Sequence, residues 1–394
     1  MKKILIALSI VFLIASIFVI ILVFPKDTPQ FMKNYVGLNI SEIEIEDVNL
    51  VYVDSEYEEG IVVSQNYLDG EIILEISNGL LDFEKYRKYS VNELGRIPVL
   101  MYHGIVDVLD SETDYTGGNV DRDGYHRTVE SFERDLEFFY ESGYRMIRLE
   151  DYVEGIIDVE IGLSPIILTF DDGLENNIKI NGRDENGNLI IDERSAVGIL
   201  ENFKKKYPDF NVTATFFLNG GLFRQPQYNY DIIKWMIENG YDIGNHSLTH
   251  ANLGDLSEDE AVREIGGMYK KLHEIIDDKY VNIVSLPFGI PYKKDHTNVQ
   301  YIMNGNYEEF EYSTKTMLRV GWDADFSPFS TSFDKQFIKR IRAYDNNGAD
   351  FDIEHVFKNL GKTRYISSGN SDIVVTISGN IDNTNTDKRI ILYD

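Results

Sequence analysis

The sequence predicts an α/β fold whose large domain is a parallel sheet closed into a barrel. Three observations predict it. From Arg96 onward, short apolar runs alternate with amphipathic segments, the pattern of strands joined by crossover helices. Reactive residue types recur at the carboxyl-terminal ends of those runs, where barrel enzymes keep their active sites. The length of 394 residues and a hydrophobic content of 43% allow a sizeable core and more than one domain.

Ile4 to Phe24 is an apolar run whose only polar residues are two serines. At about 1.5 Å per residue it reaches roughly 30 Å as a helix, one bilayer core. Lys2 and Lys3 precede it, Pro25 and Lys26 follow, and no small-x-small cleavage site closes it. Residues 1–25 therefore read as a cytoplasmic stub and a single-pass membrane anchor. Lys26 and Lys33 nearly balance the first two lysines, so charge asymmetry gives little orientation. The chemistry of the body places it outside the cell.

Residues 31–79 read as one helix and a small sheet. Ser41 and Glu44 stand in capping-box spacing, and strand-like runs follow at Leu50–Val53, Gly60–Ser64 and Glu71–Ile76. Val36-Gly37, Tyr57 with Glu58-Glu59-Gly60, Val63-Ser64-Gln65, Gly70 and Ile76-Ser77-Asn78-Gly79 resemble a PASTA domain, a wall-binding module. The prolines that usually precede Val36-Gly37 and follow Ser64-Gln65 are missing. A stalk domain is the plainer alternative. Residues 80–95 are charged and aperiodic and read as a linker.

The large domain spans residues 96–345. Its candidate strands are Val99–Tyr102, Arg145–Leu149, Ile166–Phe170, Val212–Phe217, Tyr241–Gly244, Asn282–Leu286, Leu318–Trp322 and Lys339–Tyr344. Helix Val129–Glu141 sets Phe132, Leu136 and Phe139 on one face, and Ser257–Ile276 opens with Ser257 and Glu260 as a capping box. Residues 346–394, rich in Asn, Asp and Ser, form a carboxyl-terminal extension with strand-like Ile373–Ile377 and Arg389–Tyr393.

The net charge of -28 argues against a nucleic-acid partner, which needs a basic face. The absence of cysteine excludes disulfides, thiolate metal sites and a cysteine nucleophile. The chemistry sits elsewhere. Asp171-Asp172-Gly173 follows the apolar run Ile166–Phe170, and His246 and His250 lie four apart behind Tyr241–Gly244. One aspartate and two histidines make a ligand set for a divalent metal that activates water, and the second aspartate is then a general base. The aspartates taken alone could cap a helix. The histidines taken alone, on one side of a helical turn, could be a surface pair. His103 follows the first strand and Pro287-Phe288-Gly289 the sixth, so four groups converge on one end.

Thr169-Phe170-Asp171-Asp172-Gly173 and Gly244-Asn245-His246-Ser247-Leu248-Thr249-His250 resemble the first two motifs of the polysaccharide deacetylase family (carbohydrate esterase family 4, with the NodB-homology domain). Thr213-Ala214-Thr215-Phe216-Phe217 resembles the strand between them. The resemblance implies a distorted (β/α) barrel, with Asp172, His246 and His250 holding the metal, zinc by default, and Asp171 as the base. It also implies that Pro287 and Phe288 belong to the third motif, with a backbone N–H near Phe288 facing the oxyanion. The family's arginine two residues before that proline is replaced by Ser285, with Arg319 and Arg340 as possible substitutes in space. The acid histidine usually found near the carboxyl end is matched at the start, in Leu100-Met101-Tyr102-His103. This is similar to circularly permuted members, including deacetylases of poly-N-acetylglucosamine.

The expectation is metal-dependent N-deacetylation of a glycan polymer, peptidoglycan or poly-N-acetylglucosamine, by a membrane-anchored extracytoplasmic enzyme. The alternatives are an O-acetyl carbohydrate esterase and a catalytically silent wall-binding protein, the latter motivated by Ser285. A glycosidase needs two carboxylates flanking a bond, which adjacent Asp171 and Asp172 fit poorly.

Overall fold

The computed structural model describes residues 33–394 apart from 45–47, 69–70, 80, 108–125 and 344–352. The run Ile4–Phe24 lies outside the described residues; among these, no helix is long and apolar enough to cross a membrane. The chain divides into two compact units, with the boundary between Phe83 and Glu84.

The first unit is a three-stranded sheet of β1 (Val48–Val53), β2 (Val62–Leu68) and β3 (Glu71–Ser77). The central β3 pairs parallel with β1 and antiparallel with β2. Leu74 and Ile76 of β3 and Val62 of β2 form its small core. The expected capping-box helix is absent among the described residues. Only the 3-10 turn Ile40–Glu42 forms, and Asn39 caps it through its side-chain oxygen on the Ser41 N–H.

The second unit begins within helix α1 (Phe83–Tyr89) and runs to the carboxyl terminus. Its elements in order are β4 (Val99–Tyr102), α2 (Val129–Glu141), β5 (Tyr144–Met146), α3 (Leu149–Glu154) and β6 (Ser164–Phe170). A hairpin of β7 (Ile180–Arg183) and β8 (Leu189–Ile191) follows, then α4 (Ala196–Lys206), β9 (Thr215–Leu218), α5 (Asn229–Glu238) and β10 (Asp242–Asn245). The rest includes α6 (Glu258–Ile276), β11 (Ile283–Ser285), β12 (Thr316–Gly321), β13 (Phe337–Arg342), α7 (Ile353–Leu360), β14 (Ile373–Ile377) and β15 (Arg389–Tyr393).

Parallel strands run in the order β9-β10-β11-β12-β13-β4-β6, and β6 pairs back onto β9 to close the ring. β5 lies outside, on the opening half of β6. All eight strand-like runs read from the sequence occur in this sheet. The closed barrel makes β4, the first ring strand, a direct neighbour of β13, the last.

Side chains alternate between the interior and the helix layer, as the two-residue period of a strand requires. Val99, Ile167, Phe217, Ile283, Leu318 and Ile338 fill the interior. Gly244 makes room for Phe217, because a Cβ there would lie 2.5 Å from the Phe217 ring. On the outer face, Tyr102, Phe170 and Phe216 are in register across β4, β6 and β9. Their rings stack at 5.2 Å and 4.7 Å between centroids, and Phe132 of α2 meets the first two edge-on. Burying each such ring stabilises the fold by about 1.5–3 kcal/mol. The same ladder fixes which residues stand side by side at the rim.

At the chain ends, the linker reading of 80–95 is corrected, and the strands read at Ile373–Ile377 and Arg389–Tyr393 are present. The stretch 80–95 contains α1, and Tyr86, Val91 and Glu93 are buried. Its apolar residues are few, and their partners lie far along the chain: Tyr393 donates its hydroxyl to the Val91 carbonyl at 2.7 Å. The carboxyl-terminal residues Tyr365 and Val374 join the interior cluster, so this segment covers the amino-terminal end of the barrel.

Glu93 ties these ends together, accepting from the Ser368 N–H at 2.8 Å and the Val375 N–H at 2.6 Å. Burial outweighs those bonds and pushes its carboxyl up to about 7. A folded-state pKa raised above the ordinary 4.5 gives stability that is complete below 4.5 and is lost as the pH rises to about 7. Denaturant melts across that window should therefore show wild type losing up to about 3 kcal/mol relative to Glu93→Gln. A difference that does not change with pH would refute this.

Candidate active site

On β4 and β6 the aromatic ladder ends at the carboxyl-terminal rim, and the next residues are the reactive ones. Because Tyr102 pairs with Phe170, His103 and Asp171 leave the sheet side by side, with the Asp171 N–H bonded to the Tyr102 carbonyl at 2.9 Å. The backbone then turns through the left-handed region at Asp172 (φ 73°) and Gly173 (φ 56°). A Cβ on Gly173 would sit 2.2 Å from the Leu222 carbonyl oxygen, so the position requires glycine.

Asp172 Oδ1 lies 3.3 Å from His246 Nε2 and 3.3 Å from His250 Nε2. All three ligand atoms fall within 4.8 Å of one another. Two ligands each about 2.0–2.1 Å from a tetrahedral zinc stand about 3.3–3.4 Å apart, so both aspartate–histidine separations fit a shared ion. His246 Nδ1 donates to the Ser285 carbonyl at 2.8 Å, which leaves the Nε2 lone pair facing Asp172. That buried Nε2 has no hydrogen-bond partner among the described residues, and the donor chemistry fits a cation.

The electrostatics agree. Burial raises Asp172, but the His246 imidazole 3.3 Å away, with His103 and His250 nearby, outweighs it and holds the carboxyl below its usual range. Burial lowers His246, but Asp171 and Asp172 pull harder and leave it above the ordinary imidazole value. His250 is lowered, by burial and then by His246. The histidines do not share a helical turn, as their spacing suggested. Residues 246–250 are a loop held by left-handed Ser247 (φ 62°) and His250 (φ 59°).

Asp171 is buried and faces Arg340 of β13. Arg340 Nη1 donates to Oδ1 at 2.8 Å and Nη2 to Oδ2 at 2.6 Å, a two-pronged pair. Ser285 donates its hydroxyl to Oδ2 at 2.9 Å and receives a bond from Arg340 Nη2 at 2.8 Å. Arg340 Nη1 also reaches Thr169 Oγ1 at 2.9 Å. Burial pushes Asp171 up, yet Arg340 and His246 overcome it and hold the carboxyl at about 2. Of the two arginines weighed as substitutes for the missing one, Arg340 occupies the place. Arg319 bonds the Val320 carbonyl instead.

His103, Asp171, Asp172, His246, His250, Phe288 and Arg340 line one pocket. His103 is buried, and Asn177 Nδ2 holds its carbonyl at 2.6 Å. Burial lowers its imidazole to about 4, against the pull of Asp171 and Asp172. Phe288 is 51% exposed, has φ 58°, and meets the His250 ring edge-on at 4.7 Å. Pro287 is buried in the 3-10 turn Pro287–Gly289 and is not among the lining residues. Asn245 shapes the loop: its side chain bonds the Ile265 carbonyl and the Ser247 N–H. Asn177 was missed in the sequence, where a lone asparagine past the aspartates carries no pattern.

Residues 162–304 match the family model for polysaccharide deacetylase. A curated relative, an uncharacterized 30.6 kDa protein in the fumA 3' region of Geobacillus stearothermophilus, is 29% identical over 125 residues. That alignment spans 32% of this chain and 38% of the relative. Among solved structures, Streptococcus pyogenes deacetylase PplD in complex with acetate is similar over 68% of this chain and 99% of its own, with 18% identity and a TM-score of 0.47. A polysaccharide deacetylase from Bacillus cereus is similar over 74% of each chain, with 19% identity and a TM-score of 0.48.

Removing Arg340 strands a buried carboxylate. Arg340→Ala should cost about 3–5 kcal/mol in urea unfolding, and Arg340→Lys should recover only part, since an ammonium lacks the planar fork. An Arg340→Ala protein as stable as wild type would contradict the pairing.

Proposed function

We propose that this protein is a hydrolase that removes N-acetyl groups from an N-acetylhexosamine polymer of the cell envelope, with peptidoglycan as the favoured polymer. The observation that carries the reading is the Asp172–His246–His250 triangle, with Asp171 anchored by Arg340 and His103 in the same pocket. The family match over residues 162–304 supports the reaction class.

Asp172, His246 and His250 would hold a divalent cation, zinc by the chemistry of the ligand set. Bound there, it supplies Lewis acidity to water and to the acetyl carbonyl. Asp171 accepts the proton of the attacking water; its low pKa keeps it ionised throughout the working range. His103 rests neutral, and negative charge developing on the substrate strengthens the pull that Asp171 and Asp172 already exert on it. The proton taken by Asp171 can then pass by way of His103 to the departing amine. Phe288 offers its backbone N–H toward the oxyanion. Acetate and a free amino sugar result.

The silent wall-binding alternative was motivated by Ser285; Arg340 supplies a guanidinium to Asp171 from another strand and removes that motive. The reading extends to a membrane-held enzyme outside the cell, on the strength of the apolar run Ile4–Phe24 and the PASTA-like residues 31–79. It also takes His103 as the counterpart, by circular permutation, of a histidine usually found near the carboxyl end.

The test is acetate release from purified peptidoglycan and chitooligosaccharides, with amine detection alongside. Release should stop with a chelator, return with zinc, and be abolished in Asp171→Asn. Acetate without new amine would point to O-deacetylation. Release indifferent to both chelator and substitution would reject the mechanism.

A further inference from the structure

His246 is fixed by strand β10 and the Ser285 carbonyl, but His250 sits on a loop with two residues in the left-handed region. Such a loop keeps its shape only if its surroundings over-determine it. Asn245 holds the Ser247 N–H and Gly220 the Leu248 carbonyl, and the stretch next to His250 is held by one residue of α6. Glu264, with no exposure to solvent, accepts from the Thr249 N–H at 2.8 Å on Oε2 and from the Thr249 hydroxyl at 2.9 Å on Oε1. Its backbone carbonyl takes the Leu248 N–H at 2.9 Å. Arg263 Nη2 stands 3.6 Å from Oε1 from a half-exposed position, too solvated to account for burying the charge.

A buried carboxylate is expensive, and a helix could support a loop through apolar contact alone. Glu264 instead engages both donors of the residue immediately before His250, one carboxylate oxygen to each. We infer that Glu264 is a positioning residue for the cation site: through Thr249 it sets the orientation of His250. The inference rests on the Asp172–His246–His250 reading. Groups that orient ligands without touching the metal change affinity by about 10–100-fold when removed.

The test is zinc affinity of the intact protein, measured by competition with a chromophoric chelator, with circular dichroism of the metal-free protein as the fold control. Glu264→Leu should weaken binding about 10–100-fold. Glu264→Gln can still accept the Thr249 N–H and donate to the hydroxyl, and should restore most of the affinity. Thr249→Val, which keeps the backbone bond and loses the hydroxyl, should fall between. A folded Glu264→Leu that binds zinc as wild type does overturns the inference. If Glu264→Leu does not fold, Thr249→Val decides, and an unchanged affinity there overturns it. Wild type that binds no zinc overturns the cation site itself and this inference with it.

Discussion

A carboxylate sunk into the mouth of a closed barrel must meet a positive charge, and the arrangement of the site follows from how Asp171 meets Arg340. The pair is buried on both sides, with side-chain exposures of 2% and 1%. Neither group could be left alone there, because removing one partner of a buried pair costs about 3–5 kcal/mol. Ser285 and Thr169 take further bonds from the guanidinium, so its fork is fixed in plane as well as in position. Asp171 is thereby held ionised and aimed, and its neighbour Asp172 is turned by a left-handed backbone toward the two histidines. Adjacent residues of the same type thus acquire different tasks from opposite sides of one turn.

Around that pair, packing supplies the alignment. Tyr102, Phe170 and Phe216 stack across three strands, the first two one residue before the rim. A slip of one residue in β4 or β6 would reverse its faces, exchanging ring for reactive side chain. The hydrophobic energy of the ladder and the geometry of the site are therefore enforced by the same register. At the far end of the barrel, the segments beginning at Glu84 and ending at Asp394 meet through Glu93, Val91 and Tyr393, which explains why an aperiodic stretch and a polar tail are folded.

Sequence alone determined a good deal. The eight sheet strands, α2 and the capping box of α6 were legible because periodicity and capping are local, imposed by residues within one or two turns of each other. Asp171, Asp172, His246, His250, His103 and Phe288 were legible because each follows a strand-like run, and parallel strands deliver their ends to one face. Three matters belonged to tertiary structure. Arg340 could be named as one of two substitutes but not chosen, since the choice depends on which side chains of β12 and β13 turn into the barrel mouth: Arg340 does, whereas Arg319, next to interior Leu318, faces out. Glu264 gave no signal, because a glutamate on an amphipathic helix reads as a solvated face until the loop it grips is in place. The histidine loop looked like a helical turn because a spacing of four fits one; it is instead a loop with two left-handed residues, whose donors are taken by Asn245 and by Glu264 of α6. Local chemistry could propose the reactive groups, but only closure of the barrel could decide which distant side chains hold them.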